Sequence, residues 1–347
     1  MELLQRTFGF LVTLLIASVL LFPENVASAG DTLIRIKARG KLRCGVSDGI
    51  PGFSWKGPDG RWTGMDVDFC RALAAAVLKD PEKVDFVPLT ASRRFPALKA
   101  GELDVLARNT TWTMEREAVL GILFAGVLVY DTQGFLVPTS SGITELSQLD
   151  GATVCVVRGS SHEEHIAQTF GARNWTYQPL QVESSVQAMA ALNEGKCKAF
   201  TSESPQLKTA RMNAPDGPDQ YSLLKETISE EPMGPVVRRG DEDWFTIVRW
   251  VLFTLILAED GGYTGANVRS RLEKTADFRA MSWKQLDGLI AKSLGIDPGW
   301  RIRVVESVGN YGEVFERNLG SQSTLNLERG PNKLWKDAGL MYAPPFR

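Results

Sequence analysis

Two hydrophobic periods alternate along the first half of the chain. Short apolar runs of strand character, "KLRCGV" (41–46), "KVDFVPL" (83–89) and "ELDVLAR" (102–108), are separated by "DVDFCRALAAAVL" (66–78) and "SRRFPALKA" (92–100), which carry helical spacing. Asp66 is a candidate cap for the first helix, whose small-residue face suits close packing, and Gly101 stops the second. The order returns over 151–203. Strand "ATVCVV" leads to helix "HEEHIAQTF" closed by Gly171, then to strand "WTYQPLQV". Helix "SVQAMAALNE", closed by Gly195, and strand "KCKAFT" complete the unit. Strands alternating with helices predict parallel sheets covered on both faces.

The repeat reaches individual residues. "ALKAGELDVLARN" (97–109) and "ALNEGKCKAFTSE" (191–203) both run Ala-Leu, helix end, glycine, strand, so Asn109 and Glu203 occupy equivalent strand ends. In open parallel sheets, ligands bind beyond the carboxyl ends of the strands. The first unit offers Asp48, Phe53, Asn109, Thr111 and Arg116 there; the second offers Gly159, Ser160, Ser161 and Glu203. The cleft between the two units is the candidate site.

"RNTTWTMER" (108–116) leads into a helix for which Thr113 is the expected N-cap. An arginine in the first turn sits at the positive end of the helix dipole, at a cost of ~0.3–1 kcal/mol. Either Glu115 and Glu117 neutralise Arg116 at the surface, or its planar fork holds a carboxylate. In "VVRGSSHEEHI", Gly159 permits a tight turn, and Ser161 and Glu164 have the spacing of a capping box. The N–H groups of Ser160 and Ser161 can face the same carboxylate, and Glu203 supplies negative charge for an ammonium group. An anion clamp opposite an acid is the polarity of an amino-acid zwitterion.

The N-terminus adds a compartment. The run "FGFLVTLLIASVLLF" follows Arg6 and precedes Ala27-Ser28-Ala29, which predicts a secretory signal (1–29) cleaved after Ala29. It is short for a membrane span of roughly 20 residues. A second apolar run, "WVLFTLILA" (250–258), reads as a buried helix. Residues 30–347 leave room for two domains, and the apolar fraction of 44% suffices for packed cores. A net charge of −2 argues against a nucleic-acid partner. Four cysteines without a C-x-x-C speak for two structural disulfides in an oxidising periplasm, not for a zinc or redox motif. "HEEH" spaces its histidines three apart where a metalloprotease helix needs four, and neither a G-x-S-x-G elbow nor a phosphate loop occurs. No catalytic residue, metal or cofactor is therefore expected.

"GFSWKGPDGRWTGMDVDFCRALAAAV", "RNTTWTMER", "VVRGSS", "GPVVRRGDEDWF", "NYGEVFERNLG" and "LERGPNKLWKDAGLMYAPPFR" resemble periplasmic general L-amino-acid-binding proteins of bacterial ABC importers. The resemblance runs from about residue 38 to the C-terminus. It implies an α/β, two-lobed type II periplasmic binding protein fold, with a mixed, mainly parallel sheet in each lobe and a two-strand hinge. Lobe 1 would be 30–136 plus 234–347, including a C-terminal extension, and lobe 2 would be 137–233. The crossovers would lie near Phe135–Val137 and Glu231–Gly234. By the same resemblance Arg116, helped by Asn109 and Thr111, holds the ligand carboxylate together with Ser160 and Ser161, and Glu203 holds the α-ammonium. The family's usual aspartate is here Glu203, and Met65 stands where an aromatic often stacks on the ligand, so Phe53, Trp62 or Trp112 would wall the pocket instead. The implied partners are a free amino acid and the permease subunits of an ABC transporter in the inner membrane, and the protein would be a monomer. The alternatives are a dehydratase-like enzyme on the same fold, using Glu203 as acid or base, and a sensory input module. Spacing alone leaves the disulfide pairing open. Cys44 lies on a strand whose following helix carries Cys70, and Cys155 and Cys197 lie on neighbouring strands, so the expected pairs are Cys44–Cys70 and Cys155–Cys197.

Overall fold

A computed structural model describes residues 31–274, 283 and 287–346. The expected signal segment, 1–29, lies outside the described residues. In chain order the strands are β1 (Leu42–Ser47), β2 (Trp55–Lys56), β3 (Trp62–Thr63), β4 (Val84–Leu89), β5 (Val105–Leu106), β6 (Ile122–Phe124) and β7 (Val129–Asp131). There follow β8 (Gln133–Pro138), β9 (Thr153–Val157), β10 (Gln178–Val182), β11 (Ala199–Glu203), β12 (Tyr221–Leu223), β13 (Glu231–Met233) and β14 (Val236–Arg238).

Two five-stranded sheets share one plan. The first has the order β4-β1-β5-β14-β6 and the second β10-β9-β11-β8-β12. In each, the first three strands are parallel and the last two antiparallel additions. The internal repeat is therefore a repeat of topology, with β5 and β11 as its matching strands. The expectation at 135–137 needs correction. Those residues belong to β8, which pairs with β11 and β12 inside the second sheet because Phe135, Leu136 and Val137 are all buried in its two-sided core. Between the sheets runs a separate ribbon, β7 paired antiparallel with β13.

The helix Met65–Leu78 packs against β1 and the C-terminal helix Trp300–Val308, and its small residues Ala72 to Ala76 are essentially unexposed. Asp66, expected as its cap, lies within the first turn; the N-cap is Gly64, where a Cβ would come within 2.0 Å of the Phe53 carbonyl oxygen. The apolar run 250–258 lies in the buried face of helix Glu242–Asp260. Among the described residues no helix is long and apolar enough to cross a membrane. The disulfides are Cys44–Cys70 and Cys155–Cys197, one beside each sheet.

Candidate functional site

The carboxyl ends of the strands face one another across a cleft. Asp48 follows β1, Arg94 lies beyond β4, and Arg108 and Asn109 follow β5; opposite them Ser160 and Ser161 follow β9, and Glu203 ends β11. They enclose a small cavity of about 30 Å³, room for no more than a couple of waters, so an amino acid enters only when the walls part. A larger hollow of about 760 Å³ opens at the rim beside Trp62, Arg71, Met212 and Arg317, and it contains none of these strand-end groups.

Asn109 adopts a left-handed backbone, φ +30°, which asparagine tolerates better than most residues. Its N–H is fixed by the Asp66 carboxylate at 2.9 Å, and its side-chain amide then donates to Glu203 Oε1 at 2.9 Å. Asp66 is buried; burial raises its carboxyl to about 7, against the pull of the Asn109 N–H and the Arg108 guanidinium. Glu203 also accepts from Ser202 Oγ at 2.9 Å. His162 Nε2 lies 3.5 Å from Glu203 Oε2 without hydrogen-bond geometry.

A second bridge lies beside the first. Thr111 Oγ1 and Ser161 Oγ are 3.1 Å apart, and both donate to Glu231 Oε2. Ser161 thus does not cap its helix, as its spacing with Glu164 had suggested; no side-chain cap bond forms there because the hydroxyl is turned into the cleft. Glu231 is fully buried, and His165 Nδ1 at 2.9 Å and Ser229 Oγ at 2.7 Å complete its shell. Burial pushes its carboxyl up, but the bonds from His165, Thr111 and Ser229 and the nearby His162 outweigh burial and hold it at about 2.

The turn after β9 approaches the first unit closely. Gly159 has φ +74°, and a Cβ on it would lie 3.0 Å from Ser92 Cα. Arg94 donates to the Gly159 carbonyl at 3.4 Å. Arg116 lies in the first turn of helix Met114–Leu120 as expected, with its N–H bonded to the side chain of the N-cap Thr113. Its guanidinium is half-buried, donates to the Thr111 carbonyl at 2.7 Å, and lies 5.4 Å from the centre of the Phe95 ring. It stands behind Thr111, outside the residues that line the cavity.

The expected apolar wall is elsewhere. Phe53 and Met65 are core residues of the first unit, 1% and 0% exposed. Trp112 stacks on Phe124, and Trp62 lies at the rim. Ile50, Ala91 and Val157 supply the apolar lining. Sequence reasoning did not find Arg94, Asp66, Glu231 or His165. The signals were present: an acid and an arginine beside the strand ends, an acid just before Pro232, and a histidine one helical turn from Ser161.

Over residues 42–264 the sequence matches the bacterial extracellular solute-binding proteins, family 3. The chain belongs to this family. A general L-amino acid-binding periplasmic protein of Rhizobium johnstonii is 42% identical over 95% of the chain and 97% of its own length. A glutamate/glutamine/aspartate/asparagine-binding protein of Rhodobacter capsulatus is 43% identical over 92% of the chain and 95% of its own length. Among solved structures, an ABC-transporter periplasmic binding protein of Brucella ovis with glutathione bound is 42% identical, with a TM-score of 0.86 over 91% of this chain and 99% of that one. The architecture is accordingly the two-lobed type II periplasmic binding-protein fold of the family, with one five-stranded sheet in each lobe.

Proposed function

We propose that this family member captures a free amino acid between its lobes and hands it to the permease of an ABC transporter. The observation that carries this reading is the pairing of Asn109 and Thr111, from one lobe, with Glu203 and Ser161, from the other. These bonds are made only when the lobes meet, so a ligand engaging both sets stabilises the closed form by its differential affinity. In the ligand-bound form Glu203 would exchange its bond from Asn109 for one from the α-ammonium. The α-carboxylate would be taken by Arg116, with Thr111, Ser160 and Ser161 as neutral donors. The named ligands of the similar proteins (glutamate, glutamine, aspartate, asparagine and glutathione) all carry a free α-amino-acid end, which supports this division of labour.

The lobes would be 30–130 with 234–347, and 132–230, hinged at the β7–β13 ribbon. Export would follow cleavage after Ala29, and the mature protein would act as a monomer on an unmodified ligand, with no covalent step. The direct test is mass spectrometry of what the purified protein releases on denaturation. An amino acid recovered unchanged supports the reading; a chemically converted product, or no amino acid together with no binding in titration calorimetry, would defeat it.

A further inference from the structure

Away from the cleft, a hydrogen bond ties the second lobe to the C-terminal extension of the first. Lys208 lies in the helix Ser204–Met212, which packs on β8 and β11 of the second sheet. Its Nζ donates to the Leu325 carbonyl at 2.8 Å, across 117 positions of the chain. Leu325 is 3% exposed and belongs to the core of the first lobe. The bond spans the rim beside the large hollow, which keeps Trp55 and Trp62 of the first lobe apart from Thr209 and Met212 of the second. Among the described residues no carboxylate lies within ion-pair distance of Lys208, so the carbonyl is the group that holds its ammonium.

Both ends of this bond are positioned. The loop that presents the carbonyl is closed by the Leu327 N–H, which donates to the Leu319 carbonyl at 2.8 Å. Within it, Ser323 Oγ accepts from the Leu325 N–H at 3.2 Å and donates to the Gly320 carbonyl at 2.9 Å. The Leu325 side chain is seated against Gly52, where a Cβ would come within 2.7 Å of it. At the other end, the helix that carries Lys208 has Glu203 as its N-cap. By the helical rise, the lysine stands about 8 Å along a rigid element from the acid that Asn109 engages across the cleft. A motion that swings Glu203 onto the first lobe therefore swings Lys208 onto Leu325.

We propose that Lys208 is a positioning residue for closure: its bond to the C-terminal extension stabilises the closed form without touching the ligand. This rests on the amino-acid-binding reading above and adds to it an element that sets how long the cleft stays shut. When the lobes part, the ammonium and the carbonyl both turn to water, so the bond counts only in the closed form. Its effect is a single factor on the closing equilibrium, equal for every ligand. The factor falls on release, because a shut cleft must open before the ligand leaves.

The test is titration calorimetry and stopped-flow release with glutamate, glutamine, aspartate and asparagine, on the wild type, Lys208→Met and Lys208→Arg. The net worth of one hydrogen bond sets the expectation that Lys208→Met lowers every affinity by about fivefold and leaves the ranking unchanged. Release should accelerate by the same factor, with association and the melting temperature of the ligand-free protein little altered. Lys208→Arg keeps a donor and should restore affinity to within about twofold. Ser323→Ala, which loosens the loop behind the carbonyl, should speed release at least about twofold in the wild type and add nothing to Lys208→Met. If Lys208→Met does not fold, Ser323→Ala decides by the same criteria. Losses that differ among the four amino acids would overturn the proposal, because Lys208 would then act on the ligand. Unchanged release in Lys208→Met, or a loss that Lys208→Arg does not restore, would overturn it as well. A wild type that binds no amino acid would instead defeat the underlying reading.

Discussion

The side-chain amide of Asn109 and the carboxylate of Glu203 meet at 2.9 Å across the cleft, 94 positions apart in the chain and at matching strand ends of two repeated units. Each is held from behind, Asn109 by Asp66 and Glu203 by Ser202, so the bond joins two positioned groups. On the proposed reading, a ligand ammonium entering the cleft would compete with the Asn109 amide for the same oxygen, and it would bring a charge that the amide lacks.

Removing the charge at this position should be decisive. Glu203→Gln is expected to weaken amino-acid binding about 30-fold or more, whereas the exposed acid Glu102, changed to Gln, should alter it less than about threefold. Glu203→Asp shortens the reach by one carbon and should reorder the ranking among amino acids more than it abolishes binding. Titration of a panel of common amino acids against the three variants checks this. Identical affinities and ranking for Glu, Gln and Asp would mean that residue 203 does not touch the ligand.

Arg116 stands behind Thr111 in the closed cleft, bonded to its carbonyl. Thr111 is itself tied to the ribbon by a bridge to Met233. On the proposed reading the guanidinium engages the ligand carboxylate in the ligand-bound form, where Thr111 no longer screens it. Arg116→Ala should therefore reduce affinity for all amino acids by about 30-fold or more, acid and amide alike, with little change in the melting temperature. Wild-type affinity in Arg116→Ala would remove the first carboxylate from this residue.

The elements of both units were legible because their strands and helices follow hydrophobic periods that local packing respects, and the strand-end rule then pointed to Asn109, Ser160, Ser161 and Glu203. What could not be read is what depends on the far side of the cleft. Ser161 has the spacing of a cap, yet its hydroxyl bonds to Thr111 and Glu231, 50 and 70 positions away. Glu231 looks like one acid among several in "ISEEPMGP", and only the closed ribbon makes it the buried hub of two lobes. Phe53 and Met65 sit beside the site in sequence but face the core, because the turn through Gly64 directs both side chains inward. Short-range pattern identifies which residues occupy a strand end. Which way each side chain points is decided by partners distant in sequence.

Two buried carboxyls should give opposite pH slopes. Glu231 titrates near 2 in the folded protein against an ordinary 4.5, so its contribution is complete above pH 4.5 and is lost as pH falls toward 2. The difference corresponds to about 3 kcal/mol. Asp66, raised from 3.8 to about 7, does the reverse: its contribution is complete below pH 3.8 and is lost as pH rises through about 7. Urea unfolding between pH 2 and 8 measures both. Glu231→Gln should flatten the acid limb, and Asp66→Asn, which keeps an acceptor for the Asn109 N–H, should remove the decline between pH 4 and 7. Parallel curves for wild type and either variant would show that the carboxyl concerned is not shifted.

The hinge ribbon has a second brace, supplied by the C-terminal tail. Asn332 is 5% exposed; its Oδ1 accepts from the Tyr130 N–H at 2.7 Å and its Nδ2 donates to the Tyr130 carbonyl at 2.8 Å. The Tyr311 hydroxyl, which donates to the Leu128 carbonyl at 2.9 Å, also lies 3.3 Å from Asn332 Oδ1. β7 is thus paired with β13 on one edge and with a single side-chain amide on the other, which imitates a neighbouring strand. Asn332→Ala leaves both Tyr130 backbone groups without these partners and should cost about 1–3 kcal/mol of stability. Because β7 leads directly into β8 and the second lobe, the same change should loosen the hinge. Hydrogen exchange at the Tyr130 amide should accelerate by about 10-fold or more, with Asn332→Asp, which keeps the acceptor and loses the donor, falling between. If Tyr130 exchanges at the wild-type rate in Asn332→Ala, the tail does not brace the hinge, and its contacts serve only to anchor the tail.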